Sequence, residues 1–258
     1  MDSAFARFES IDASPELKGK RPPGFERYHV RLASGQIRQP LERFEKARRP
    51  EFAGTDIAAI RGSVEEVEAA WNRRAEDRNG DAWIFDSRAA RDLAILGDRA
   101  RARERILRAR STSDWTISAD EFTRREGDAI LAWSEGRMDE ADRFVGEIFR
   151  DSALVDRWYG YLLAGSLHFA SGDCPGAAKY LEEARAVPWP AQPWYRSYNL
   201  PLILHRLASC YEKMGDLAKA RERNDELLKR WERADPDIPL LVEAKELQAR
   251  LGGASAGR

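Results

Sequence analysis

The sequence predicts an all-α solenoid built from antiparallel helix pairs, and three observations lead to this prediction. Glycine-containing turns recur along the chain, with 39, 36 and 43 residues between successive turn glycines. Each turn separates two amphipathic segments whose apolar residues follow the helical period. Small residues stand at matching positions on both sides of every turn, where they allow two helices to pack closely. Self-similarity with a period of about 40 residues is typical of repeat architectures.

The four predicted turns share a glycine and, in three of them, an aspartate directly after it. Glycine adopts the left-handed backbone conformation that ends a helix, and aspartate caps the next helix. A small residue precedes each glycine, and an alanine follows it in the second helix. The turn glycines are Gly97, Gly136, Gly172 and Gly215, the preceding small residues are Ala90, Ala129, Gly165 and Ala208, and the following alanines are Ala102, Ala141, Ala177 and Ala220.

This pattern resembles the tetratricopeptide repeat, and the block that ends the chain resembles C-terminal regions of this kind in bacterial regulatory proteins. The best-matching unit contains Ala208, Tyr211, Gly215-Asp216 and Ala220. Asp86 and Arg125 depart from the family pattern, because the family has a large apolar residue at their position. The resemblance implies a right-handed superhelix with a concave surface formed by the first helices of the pairs.

The chain divides into four parts on this interpretation. Residues 1–80 form an N-terminal helical extension with an eroded repeat around Gly35, and residues 81–235 hold the four repeats. The extension ends in a helix that begins at Ser63, where Glu66 completes a capping box. Residues 236–252 form a capping helix with apolar positions Leu240, Ala244, Leu247 and Leu251, and residues 253–258 form a tail.

Composition excludes several classes of protein. The net charge is -1, with 43% hydrophobic and 34% charged residues, which argues against a basic nucleic-acid packager and against a disordered chain. The two cysteines cannot build a disulfide framework, and no segment is long and apolar enough to span a membrane. No signal peptide is visible at the N-terminus. We therefore expect a cytoplasmic protein with no membrane partner.

No motif for catalysis or cofactor binding occurs. The phosphate-binding, dinucleotide-binding, nucleophile-elbow and zinc-protease patterns are all missing. His168 is interpreted as a hydrogen-bonded core residue, and Cys174 and Cys210 as two unrelated reduced thiols. The sequence thus predicts no catalytic residue, no metal and no cofactor, and hence a protein that is not an enzyme.

Two sets of residues are candidates for partner binding. The resemblance places a largely apolar groove on the first helices, which suits an extended or helical peptide. An aromatic loop precedes the last repeat, where its rings either anchor a partner or fill a wide joint between repeats. The groove candidates are Arg91, Glu126, Ile130, Trp133, Tyr159, Leu162, Phe169, His205 and Glu212, and the loop candidates are Trp189, Trp194 and Tyr195.

The sequence favours a non-catalytic scaffold or adaptor that binds a protein or peptide partner. One alternative is a regulatory or sensor domain of a bacterial signalling system, acting on a kinase or a transcription regulator. Another is nucleic-acid binding through the arginine-rich helix at residues 99–110, although no aromatic residues interleave there to stack on bases. Homo-oligomerisation is left open.

Overall fold

The described part of the chain is entirely α-helical apart from its turns. A computed structural model describes residue 35 and residues 61–76, 82–151, 154–187 and 193–253. These ranges contain eleven helices and no strand, so the all-α prediction is confirmed for them. None of these helices combines the length and apolarity needed to cross a lipid bilayer. The helices are α1 (Val64–Glu76), α2 (Ala82–Leu96), α3 (Arg99–Arg110), α4 (Ser113–Ser118), α5 (Glu121–Ser134), α6 (Met138–Asp151), α7 (Leu154–Ala170), α8 (Cys174–Ala186), α9 (Pro193–Lys213), α10 (Leu217–Arg230) and α11 (Pro239–Gly253).

Eight helices form four helix hairpins, which we number in chain order. They are α2–α3, α5–α6, α7–α8 and α9–α10, and each helix packs most extensively against its hairpin partner. Successive hairpins pack through α3 on α5, α6 on α7 and α8 on α9. Helix α1 packs on α2, and α11 packs on α10. The first helices also contact one another, because α2 packs against both α5 and α7.

The four hairpin turns have the predicted geometry. Their glycines have φ values of 90°, 79°, 79° and 81°, in the left-handed region that glycine adopts without strain. In each turn the glycine N–H donates to the carbonyl three residues earlier, and the next N–H donates to the carbonyl five residues before it. Asp98, Asp173 and Asp216 accept a hydrogen bond from the backbone three residues on and so cap the second helices. The predicted turns are therefore confirmed.

The small residues that flank each turn lie at the hairpin interfaces. All seven alanines of this set are fully buried, and Gly165 is buried as well. A Cβ atom at Gly165 would lie 2.6 Å from Cγ of Leu181, so the backbones of α7 and α8 approach too closely for any side chain. The prediction that small residues permit close helix packing is confirmed at these positions.

Charged residues replace apolar ones inside the first two hairpins. Asp86 is 7% exposed and accepts from Arg105 at 2.9 Å and from both Nε and Nη2 of Arg108 at 2.9 and 2.8 Å. Arg105 is itself 5% exposed and also donates to Glu68 of α1 at 2.8 Å. Arg125 pairs with Glu147 across the second hairpin. Ion pairs thus occupy the position where the resemblance leads one to expect an apolar contact.

Two segments between hairpins differ from the sequence-based interpretation. A short helix, α4, follows the first hairpin, and no amphipathic pattern predicts it. Helix α9 begins at Pro193 and so includes Trp194 and Tyr195, which the sequence pattern assigns to the aromatic loop. Proline has no N–H to leave unsatisfied and its φ suits a first helical position, which explains the early start.

The two ends of the array are partly as predicted. Half of the predicted capping box is present at the start of α1: the Glu66 N–H donates to Ser63 Oγ at 3.2 Å, while Glu66 Oε1 lies 3.3 Å from Arg61 Nη2. Helix α11 buries Leu241, whereas the predicted position Leu240 is only half-buried. Apart from Gly35 itself, the eroded repeat expected around it lies outside the described residues. Gly35 has a φ of 73°, and its carbonyl accepts from the N–H of Asp235 at 3.0 Å.

Candidate partner-binding site

The predicted groove residues lie together where the first helices meet, but most of them are inside the fold. Glu126 is 4% exposed, Ile130 and Trp133 are 1% exposed, Leu162 is fully buried and His205 is 9% exposed. The other four remain partly accessible, namely Arg91, Tyr159, Phe169 and Glu212. Because α2 packs on both α5 and α7, the first helices cover much of the surface that an open groove would present. Contact of these residues with a partner stays a prediction.

The two charged groove residues near the first hairpins pair with each other. Arg91 Nη1 lies 3.6 Å from Glu126 Oε1, and the Arg91 guanidinium lies 4.7 Å from the centroid of the Tyr159 ring. Asp92 lies 3.7 Å from Arg91 Nε and accepts a hydrogen bond from Trp71 Nε1 at 2.9 Å. These contacts join α1, α2, α5 and α7, so the cluster holds the first helices together.

The protonation of Glu126 is set by its burial. Removal from water raises the pKa of Glu126 to about 7, and the nearby Arg91 charge opposes this shift without cancelling it. Burial also raises the pKa of Asp92 from its usual range. Two carboxylates therefore share one guanidinium, and Glu126 gains or loses its proton near neutral pH.

The last two groove candidates contact the C-terminal helix. Glu212 accepts from Arg250 Nε at 2.9 Å and from Nη2 at 3.0 Å, and this pairing lowers the pKa of Glu212. His205 Nε2 lies 3.3 Å from Glu243. Burial lowers the pKa of His205 to about 4, so this histidine is neutral at neutral pH and its contact with Glu243 is not an ion pair. Helix α11 thereby covers this part of α9.

Most arginines of the arginine-rich helix α3 form ion pairs with carboxylates of the fold. Arg105 and Arg108 bind Asp86, and Arg110 Nη2 lies 2.5 Å from Asp128. Arg101 pairs with Glu65 at 3.1 Å, and Arg103 lies 3.8 Å from Glu135. Five of the six arginines at residues 99–110 therefore face a carboxylate, which leaves little free charge on this helix for a phosphate backbone.

Three cations surround the last turn of α7, and we call them the α7-end cluster. Arg99 donates to Ser171 Oγ at 2.8 Å and lies 5.0 Å from the Trp133 ring. Arg206 Cζ and Lys213 Nζ lie 5.1 and 5.8 Å from the centroid of the Phe169 ring. Sequence reasoning missed this cluster, since its members come from α3 and α9 and meet only when the hairpins pack.

Arg206 is the buried member of the α7-end cluster. It is 6% exposed and donates to Ser166 Oγ at 2.6 Å and to the Ile95 carbonyl near the end of α2. Burial lowers the pKa of Arg206 to about 10, because its hydrogen-bond acceptors carry no full negative charge. Its spacing of seven residues from Lys213, two turns along one helix, is the only sequence signal that links the two.

The histidine and cysteine interpretations have different outcomes. His168 is 5% exposed, with Nδ1 2.7 Å from Asp173 and Nε2 2.9 Å from Asp142, so the prediction of a hydrogen-bonded core histidine is confirmed. Those carboxylates outweigh the opposing effect of burial and raise the pKa of His168. Cys174 and Cys210 are both free and buried, and their interpretation as two unrelated reduced thiols stays a prediction. Burial raises the pKa of the Cys210 thiol, which makes it a poor nucleophile.

The aromatic loop residues are only partly described. Trp189 lies outside the described residues, while Trp194 and Tyr195 belong to the first turn of α9. In the described ranges no group of three or more His, Cys, Asp or Glu residues is arranged to hold a metal ion. A comparison of the chain with protein-family models, with curated proteins and with solved structures finds no match. Function is therefore inferred from the geometry of the chain itself.

Proposed function

We propose that the chain is a tetratricopeptide-like solenoid that acts as a non-catalytic scaffold for protein–protein interaction. The observation that supports this most is the repetition of one hairpin geometry, with the same glycine turn and the same buried small residues, in all four helix pairs. Stacked pairs of this kind form extended surfaces on which partner segments bind. Fold alone does not fix function, so the partner surface has to be tested directly.

The proposed surface combines groove residues that stay partly accessible with one further half-buried residue of α9. Tyr159 and Phe169 on α7 and Leu202 on α9 are half-buried aromatic and aliphatic side chains. Half-buried apolar side chains held by packed helices are suitable anchors for an extended or helical peptide, because they lose little entropy on binding. The fully buried candidates Ile130, Trp133 and Leu162 support this surface from beneath.

Quantitative affinity capture from cell extract tests the proposal. Wild-type protein, Tyr159→Ala, Leu202→Lys and the control Leu107→Ala are immobilised, and captured proteins are measured by mass spectrometry. Leu107 is 40% exposed on α3, away from the proposed surface. We expect one partner to bind wild type and the control in near-stoichiometric amount and to be depleted by both surface variants.

Two further measurements decide the outcome. Thermal unfolding of each variant shows whether the fold is kept, and the captured partner is then bound again in purified form. Equal capture by all four proteins would overturn the proposal, as would the absence of any stoichiometric partner. A regulatory domain would use the same surface, so capture of a kinase or a transcription regulator would favour that role over a general adaptor.

A further inference from the structure

The α7-end cluster differs from the other cationic residues of this chain. Among the described residues, none of Arg99, Arg206 and Lys213 has a carboxylate oxygen within 4.0 Å, whereas the other five arginines of α3 each have one. Glu212 is next to Lys213 in sequence, but its two oxygens accept from Arg250. In the described part of the chain these three cations thus have no carboxylate at ion-pair distance, and Glu212 acts on Lys213 only at longer range.

Burial makes this positive charge more effective. Arg206 is 6% exposed and is held by a hydroxyl and a backbone carbonyl, so its charge acts through a medium of low polarity. The carbonyl belongs to the C-terminal end of α2, whose helix dipole supplies only a partial negative charge. Arg99 and Lys213 are exposed, Arg99 beside Ser171 and Lys213 beside Phe169. The field of the cluster is thus directed at an accessible surface and attracts anions to it.

The same surface offers an apolar contact beside the charges. Phe169 is half-buried, and the turn that follows it, Ala170 to Gly172, is exposed. Trp133, by contrast, is 1% exposed, so no nucleic-acid base can stack on its ring. The combination of clustered cations with one accessible aromatic side chain fits a carboxylate next to an apolar side chain better than it fits a phosphate backbone.

We propose that the α7-end cluster binds an acidic peptide segment of the partner, with a carboxylate among Arg99, Arg206 and Lys213 and an apolar side chain against Phe169. The inference rests on the proposed scaffold function and names the chemical class of the partner. The carboxylate accepts hydrogen bonds from Arg99 and Lys213 at the surface, while Arg206 stays in place beneath it. Because Arg99 and Lys213 are exposed to solvent, we expect salt to screen their attraction for the carboxylate and to weaken binding.

Fluorescence anisotropy tests this inference with a defined probe. The probe is a fluorescein-labelled peptide of alternating Glu and Leu residues, compared with a Lys and Leu peptide of equal length and with a single-stranded oligonucleotide. We expect the acidic peptide to bind most tightly, with an affinity that falls with salt. Each of Arg99→Glu and Lys213→Glu should weaken binding about tenfold, the effect of losing one charge-assisted contact.

Matched controls separate local from general charge effects. Arg103→Glu makes the same charge change on α3 as Arg99→Glu, and Lys229→Glu matches Lys213→Glu at another exposed site. Lys229→Glu should leave affinity within about twofold of wild type, since a distant exposed charge is largely screened, and Arg103→Glu, one turn along α3 from Arg99, should weaken binding less than Arg99→Glu does. Equal weakening by controls and cluster variants would overturn the inference, as would tighter binding of the basic peptide or of the oligonucleotide.

The captured partner distinguishes this inference from the scaffold function. If the partner still binds Arg99→Glu and Lys213→Glu but not Tyr159→Ala, the scaffold function stands and the α7-end cluster is not its acidic site. If the cluster variants and Tyr159→Ala all release it while Arg103→Glu retains it, both proposals are supported. If no variant releases it, both fail.

Discussion

The first two hairpins have a charged residue at a position where the last two have an aromatic or aliphatic one. The position eleven residues before the turn glycine holds Asp86 and Arg125 in the first two and Tyr161 and Leu204 in the last two. Asp86 binds Arg105 and Arg108, and Arg125 binds Glu147, whereas Leu204 is fully buried. Tyr161 stacks on Phe149 with ring centroids 4.1 Å apart.

The comparison shows that the hairpin geometry does not depend on an apolar residue at this position. The acid lies on the first helix of hairpin one and on the second helix of hairpin two, so the two ion pairs have opposite orientation. Either orientation keeps the same turn and the same close alanine contacts. The turn glycines and small residues thus define the hairpin, and the neighbouring position only needs a complementary partner.

The largest loss of stability is expected when a charge is placed in the last two hairpins, where the equivalent position holds Tyr161 or Leu204. Leu204→Asp places a carboxylate in the hydrophobic core and removes a fully buried side chain. We expect a loss of at least about 3 kcal/mol in the free energy of unfolding. Urea denaturation measures it, with Leu202→Asp as a control at a half-buried position of the same helix. Similar small losses for both would mean that the fourth hairpin is not packed as described.

The converse change removes the acid from the first hairpin. Asp86→Leu leaves the buried Arg105 with Glu68 and Asn72 only, and should cost about 2 to 4 kcal/mol. The double variant Asp86→Leu with Arg105→Leu should recover most of this loss, because well-packed apolar residues often replace a buried ion pair without cost. A double-mutant cycle from denaturation curves gives the coupling energy between Asp86 and Arg105. Additive losses would show that the pair is not coupled.

Glu126, between the first two hairpins, should make stability depend on pH. Its pKa is about 7 in the fold against an ordinary 4.5, so the folded state binds this proton more tightly than the unfolded state does. Stability therefore falls as pH rises from about 4.5 to about 7 and then levels off. Glu126→Gln should be more stable than wild type by about 1 to 3 kcal/mol at pH 8, with the difference vanishing near pH 4.

The measurement for Glu126 is the difference between two pH profiles. His168 also has a raised pKa, and its stabilising contribution is lost as pH rises through that value. Both groups thus move stability in the same direction, and subtracting the Glu126→Gln profile from the wild-type profile isolates the carboxylate. A constant difference between the two profiles from pH 4 to pH 8 would contradict the account.

The smallest loss of stability is expected for substitution of Arg125 in the second hairpin. Its side chain is 34% exposed, so solvent screens its pairing with Glu147, and Arg125→Glu should cost below about 1 kcal/mol. The exchanged pair Arg125→Glu with Glu147→Arg restores complementary charges in the orientation that hairpin one has. Its melting temperature should return close to wild type. A melting temperature lower than that of the single variant would show that the orientation matters after all.

The sequence predicts those parts of the fold that depend on local signals. The turns at Gly97, Gly136, Gly172 and Gly215 follow from residue type and spacing alone, because only glycine adopts their backbone conformation without strain. The start of α1 follows from Ser63, whose hydroxyl accepts from the Glu66 N–H. These signals lie within a few residues of the structure that they specify.

The rest depends on how hairpins pack, which no short pattern encodes. The resemblance implied that Ile130, Trp133 and Leu162 would line a surface, yet α2 packs on α5 and α7 and buries them. Arg99, Arg206 and Lys213 are separated by up to 114 positions, and only the packed array brings them to Phe169. Burial also changes the chemistry of Glu126 in a way that its sequence context does not indicate.

The first helices share one interior, so the first and last hairpins are coupled directly. Arg206 of α9 makes this contact when it donates to the Ile95 carbonyl of α2. Hydrogen–deuterium exchange of Arg206→Met tests it, with the exposed Lys229→Met as control. We expect faster exchange of the backbone amides in both Ala82–Leu96 and α9, with no change in the control. An increase confined to α9, with Ala82–Leu96 exchanging as in wild type, would contradict it.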